Sequence, residues 1–320
     1  MLNDGGIQSH ACSIPGSAGC QGGVRSLSRP ARWLLRVGAA LCLTAGGALT
    51  VLSAQPAAAH SSLGQAAAAT QGGYWEVASD GGVFAFGNAP FFGSMGGKAL
   101  NAPVVGMALA LFHNSGYYLV ASDGGVFPFG DAPFFGSMGG KPLNAPVVGM
   151  AFVPKFDGYY LVASDGGVFT FGDAPFFGSM GGKHLNKPVV GMAEATLGGG
   201  YYLVASDGGV FAFNAPFEGS LVGTGLNKPI VGMAFDSVTG GYYLVASDGG
   251  VFAFGNAPFQ GSLGGSPPSS PIVGMDFDRA TGGYYLVASD GQIFAFNAPL
   301  LGSMGGKPLS APMVGMAVSS

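Results

Sequence analysis

The tetrapeptide Ala-Ser-Asp-Gly occurs six times between Gly73 and Ser320, with its aspartates at Asp80, Asp123, Asp165, Asp207, Asp248 and Asp290, 41–43 residues apart. A period near forty residues belongs to propeller and solenoid arrays, in which each unit buries its apolar surface only against its neighbours. No single copy can then be stable alone, because both of its faces are apolar.

The third copy shows the internal grammar: PVVGMA (146–151), GYYLVAS (158–164), GGVFTF (166–171) and APFFGSM (174–180). Each run is rich in β-branched or aromatic residues and is bounded by Gly, Pro, Asn or Asp, so each reads as a short strand. Asp165-Gly166 between the second and third runs is a hairpin-turn signal. Four antiparallel strands per copy is the blade of a β-propeller. The small Gly-Met-Ala segment places the first strand innermost, and the Tyr-Tyr and Phe-Phe pairs suit the wider outer spaces.

The ends of the array are complementary. The first copy begins at Gly73 with its second strand, and the last is followed by an unpartnered first strand, PMVGMA (312–317). Docking that orphan beside Gly73–Ser79 closes a ring and leaves no exposed sheet edge. The expected fold is therefore an all-β, six-bladed propeller over 73–320, its first blade completed by the C-terminal strand.

The chain is 48% hydrophobic and only 9% charged. Turn residues nevertheless interrupt every apolar run after the N-terminal region well before the roughly 20 residues a spanning helix needs. Arg25, Arg29, Arg32 and Arg36 precede an apolar stretch from Val37 to Ala54, and Ala57-Ala58-Ala59 offers a cleavage site. Residues 1–59 read as a signal peptide and 60–72 as a linker, which makes the protein secreted. Its only membrane contact is this leader, if uncleaved. Cys12, Cys20 and Cys42 all lie in the leader, so the rest of the chain has no disulfide. From His60 onward, eight Lys and Arg face fifteen Asp and Glu, a net charge of −7 that argues against nucleic acid.

GYYLVASDGGVFAFG followed by NAPFFGSMGGKPLNAPVVGMA resembles tandem repeats of exported Gram-positive bacterial proteins, some attached to cell-wall hydrolase domains. The likeness covers about 73–320. The blade grammar is also similar to WD-repeat, NHL and quinoprotein-type propellers, whose diagnostic residues are absent. The resemblance implies an extracellular binding propeller and supplies no catalytic residues. The Asp-Gly hairpins also resemble choline-binding cell-wall repeats, whose period is about half as long. A glycan-binding solenoid of hairpins is the alternative that likeness implies.

Asp80, Asp123, Asp165, Asp207, Asp248 and Asp290 are the candidate binding residues, a ring on one face beside the connector lysines Lys98, Lys141, Lys183 and Lys307. Asp before Gly also simply makes a turn. One carboxylate per loop falls short of the several oxygen ligands calcium needs, so no metal or cofactor is expected. The paired tyrosines read as blade packing before sugar stacking. Glu76, where the other copies have leucine, is expected to lie exposed beside the closing strand. His113 and His184 occupy different parts of their copies and form no zinc or triad spacing. The loops between first and second strands vary most and are the favoured partner face. The expectation is a non-catalytic, monomeric protein that binds an extracellular protein or cell-wall glycan. A hydrolase using the propeller channel is the rival from another class.

Overall fold

The computed structural model describes residues 72–110, 116–195 and 199–319. The expected leader, its cysteines, nearly all of the linker and His113 lie outside them. Among the described residues no helix is long and apolar enough to cross a membrane.

Over the described residues the chain is all-β, built as six three-stranded antiparallel sheets. The first holds β1 (Gly73–Ala78) and β2 (Val83–Gly87); the second β3 (Val104–Leu109), β4 (Gly116–Ala121) and β5 (Val126–Gly130). The third holds β6 (Val147–Val153), β7 (Gly158–Ala163) and β8 (Val168–Gly172); the fourth β9 (Val189–Ala195), β10 (Gly200–Ala205) and β11 (Val210–Phe213). The fifth holds β12 (Ile230–Phe235), β13 (Tyr242–Ala246) and β14 (Val251–Phe254); the sixth β15 (Ile272–Asp278), β16 (Gly283–Ala288) and β17 (Ile293–Phe296). The last strand, β18 (Met313–Ser319), belongs to the first sheet, whose order is β18-β1-β2. It pairs antiparallel with β1, setting Gly73 opposite Ser319 and Glu76 opposite Met316. The Ser319 hydroxyl both accepts from the Gly73 amide and donates to the Gly73 carbonyl. The docking expected of the orphan segment is present.

The first strands touch one another in a closed cycle: β18 against β3, then β6, β9, β12, β15 and back to β18. Their glycines permit this approach. A Cβ on Gly274 would stand 3.4 Å from the Cα of Gly315. Each first strand also carries a register shift at the valine in its second position, for example between Val147 and Gly149, the one-residue bulge that sharpens local twist. A backbone belt links the copies at this end. Ser122 donates its amide to Pro103 in its own sheet, and its carbonyl accepts from Val147 in the next. The belt passes from copy six to copy one, with Met313 donating to Ser289 and Ser79 donating to Pro312.

The middle strands explain the composition. Residues of β4, β7, β10 and β16 are buried along their whole length, because period-two alternation gives each sheet an apolar surface on both faces. Tyr117 and Leu119 pack toward the first sheet, whereas Tyr118 and Val120 pack toward the third. Six apolar clusters fill the six seams, and one unites Tyr285, Val287 and Ile293 with Tyr74, Ala78 and Met313 across the closing seam. Ring centroids of tyrosine pairs that meet across seams lie 4.6–5.0 Å apart, and the closing pair Tyr74–Tyr285, at 4.9 Å, matches the others.

The fourth run of each copy does not form the expected strand. At its centre lies a glycine at φ 125–138° (Gly93, Gly136, Gly178, Gly219, Gly261, Gly302), a conformation that only glycine adopts readily and that breaks a ladder. Tyrosine hydroxyls take over the bonding. The first tyrosine of each pair donates to that glycine's carbonyl in the preceding copy, as Tyr201 does to Gly178, and it accepts from the neighbouring amide of Phe177. The second tyrosine donates to the proline carbonyl of its own copy, as Tyr160 does to Pro175. Tyr74 makes the same bond to Gly302 across the closing seam.

Replacing Tyr201 with Phe leaves the Gly178 carbonyl and the Phe177 amide without their partner. Denaturant unfolding is expected to show a loss of about 1–3 kcal/mol, the usual cost of orphaning part-buried polar groups.

Candidate functional site

The six first strands finish at the end of the array that carries the variable loops. There they enclose a funnel of about 580 Å³ to which every one contributes, its wall including Met107, Met150, Met192, Met233, Met275 and Met316. Along the strands the lining beyond the methionines is apolar, with two exceptions. Asp276 stands where the other copies have Ala108, Ala151, Ala193, Ala234 and Ala317. Glu194 stands where they have Leu109, Phe152, Phe235, Phe277 and Val318. Both carboxyls line the funnel, as do Ser237 and Arg279 from the loops.

Burial dominates the titration of both groups. It pushes Asp276 up to about 6, against the pull of the Val318 and Phe277 amides, while the nearby Asp278 charge adds to the rise. Those amides hold one oxygen each, at 2.8 Å. Burial likewise pushes Glu194 up to about 7, and the Lys155 ammonium draws it back in part. An apolar funnel with two carboxyls that ionise near neutrality suits a cationic group on an apolar stem, since opposite charge is attracted strongly where water is scarce.

Two of the loops around the funnel are rigidified by local bonding. Asp236 accepts from the Val238 and Thr239 amides and from the Thr239 hydroxyl. Asp278 repeats the device with the Ala280 amide and the Thr281 hydroxyl. These are Asx turns, and they fix Ser237 and Arg279 within the loops. A third loop carries a short 3-10 turn, Pro154–Phe156, with the Lys155 ammonium 5.2 Å from the Phe156 ring centroid. Residues 111–115 and 196–198 of the other two loops lie outside the described ones.

The six aspartates predicted as binding residues lie at the opposite end of the sheets. Each one's Oδ1 accepts the amide two residues on, from Asp80 with Gly82 through to Asp290 with Gln292, at 2.9–3.1 Å. That bond shapes the turn and leaves the second oxygen for other work. The doubled tyrosines are buried and so present no surface to a sugar. His184 is exposed on a connector, close to Asp207. Among the described residues no three His, Cys, Asp or Glu side chains converge as a metal site would require.

Glu76 differs from expectation: it is 0% exposed. The leucine column it interrupts points into a seam, and here the seam is the closing one, where β18 and the sixth copy cover it. Its Oε1 accepts weakly from the Met304 amide at 3.4 Å, and its Oε2 has no partner. Burial pushes its pKa up to about 8; the Met304 amide and Lys307 pull downward and Asp290 pushes upward. The group is therefore neutral in the folded protein at neutral pH. A carboxyl whose folded value is raised costs nothing below the unfolded value near 4.5. It destabilises increasingly as pH rises from there to about 8, where the cost levels off.

Glu76→Leu is expected to stabilise the protein by about 1–3 kcal/mol at pH 8 and by clearly less at pH 4.5. Thermal melts of the two proteins across that range check it.

The chain matches no family model and no curated protein in comparison with known proteins.

Proposed function

We propose that residues 73–319 form a six-bladed β-propeller, the irregular fourth run replacing an outer strand, and that the exported chain is a non-catalytic binding module. Its partner is an extracellular protein that presents a lysine or arginine side chain to the funnel. The carrying observation is that all six first strands build one funnel in which Glu194 and Asp276 alone break the apolar columns of the repeat. The closed cycle of first-strand contacts supports the propeller reading. The Asx-turn loops support the binding reading, since rigid loops lose little entropy when a partner docks.

The rival hydrolase would rely on the same two carboxyls. Hydrolysis by a carboxyl pair requires one group free to give a proton and another free to accept one or attack. Both Asp276 oxygens are held by backbone amides, which favours a fixed negative charge that receives a cation.

The test is retention of secreted proteins and of purified cell wall on the immobilised chain, wild type beside the Glu194→Gln/Asp276→Asn variant. Secreted protein is expected to bind the wild type, more strongly at pH 8 than at pH 6 as the two carboxyls ionise. The double variant is expected to lose that retention. Equal retention by the variant, or none by the wild type, overturns the reading.

A further inference from the structure

The opposite end of the sheets carries a feature that the funnel does not use. Grooves of about 260, 220 and 200 Å³ open at the first three seams, each between one copy's connector and the next copy's turn. Their linings share an Asn–Asp–Phe set, to which the third adds His184 and Lys187. The first has Asn101, Asp123 and Phe127; the second Asn144, Asp165 and Phe169; the third Asn186, Asp207 and Phe211. Asn227, Asp248 and Phe252 recur at the fourth seam, whereas Ser269 and Ser310 replace the asparagine at the last two.

The free hydrogen-bonding capacity in each groove is specific. The aspartate spends Oδ1 on its own turn, and its Oδ2 takes no hydrogen bond from the described residues. The asparagine amides are exposed and equally unengaged. A carboxylate oxygen offers acceptance only, while an amide offers both donation and acceptance. That pair answers two neighbouring hydroxyls, each of which donates and accepts. The half-buried phenylalanine supplies an apolar wall against which the C–H face of a sugar ring can rest. The grooves are smaller than the roughly 300–1,000 Å³ of drug-sized sites, which limits each to about one ring.

We infer that these seam grooves are subsites for an uncharged polysaccharide, the Asn–Asp–Phe set of each binding one sugar unit. A repeated groove fits a repeated ligand, because weak subsites gain overall strength when one chain engages several. An anionic sugar is disfavoured, because each groove holds a carboxylate, offset only in the third by Lys187, and the region from His60 carries a net charge of −7; a neutral sugar meets no such repulsion. This proposal does not rest on the funnel, which lies at the other end of the sheets.

The test is affinity electrophoresis of the full chain through gels containing dextran, galactomannan, xylan or a β-1,3-glucan. At least one is expected to retard the wild type. The Asn101→Ala/Asn144→Ala/Asn186→Ala variant removes only exposed, unengaged amides, so it is expected to melt as the wild type does. In the retarding gel it binds about tenfold more weakly, the equivalent of one net hydrogen bond summed over the engaged subsites. The Glu194→Gln/Asp276→Asn variant is expected to be retarded as the wild type is. The inference is overturned if none of the four polysaccharides retards the wild type, or if the triple asparagine variant runs with it in the gel that does.

Discussion

Every sheet in this protein is apolar on both faces, and that single constraint organises the rest. Covering two faces requires two neighbours, which a linear row denies to its end members. Here the denial is avoided by lending β18 to the first sheet, so that six sheets have six seams. Burial of one large side chain is worth roughly 1.5–3 kcal/mol, and each seam holds several. Most of that gain offsets chain entropy. No seam is dispensable, and the closing one, together with the β18–β1 ladder, holds the two ends of the array together.

Polar groups follow from the same geometry. A seam packed with tyrosines must give every hydroxyl a partner, and the fourth run supplies it. The glycine that prevents a ladder there exposes the carbonyl that the next copy's tyrosine needs. Loss of strand structure and stapling between copies are thus one arrangement. It confines most variation to the loops and connectors at the two ends of the sheets. One end holds the funnel with its two carboxyls and the other holds the repeated grooves. Glu76 is the exception, a carboxyl inside a seam, and its unpartnered oxygen weakens the contact that the ring most depends on.

Much of this was legible in the residues. The Ala-Ser-Asp-Gly period, the Gly-Met-Ala first strands and the orphan PMVGMA segment together implied the copy number, the innermost strand and the docking at β1. APFFGSM has strand composition and so predicts a fourth strand; only its central glycine, present in every copy, signals otherwise. Glu76 reads as exposed because a lone carboxylate in a core column is costly. Protonation lowers that cost, and the raised pKa that keeps the group protonated depends on three-dimensional burial. Glu194 and Asp276 could have been found by aligning the six copies column by column, which isolates them as it isolates Glu76. That they line one funnel depends on the cyclic arrangement of the first strands, which no column displays.

The register setting Gly73 opposite Ser319 brings the two ends of the array together, so closure can be tested by moving the break. In a circular permutant a short linker joins Ser319 to Gly73, and new termini open in the exposed fifth connector at Ser269. If the ring is closed, the permutant should unfold in one cooperative transition within about 5 °C of the parent, a difference of about 1–2 kcal/mol for a chain of this size. If the array is open, the joined ends will be strained apart, and the permutant will fail to fold or will melt in separate steps.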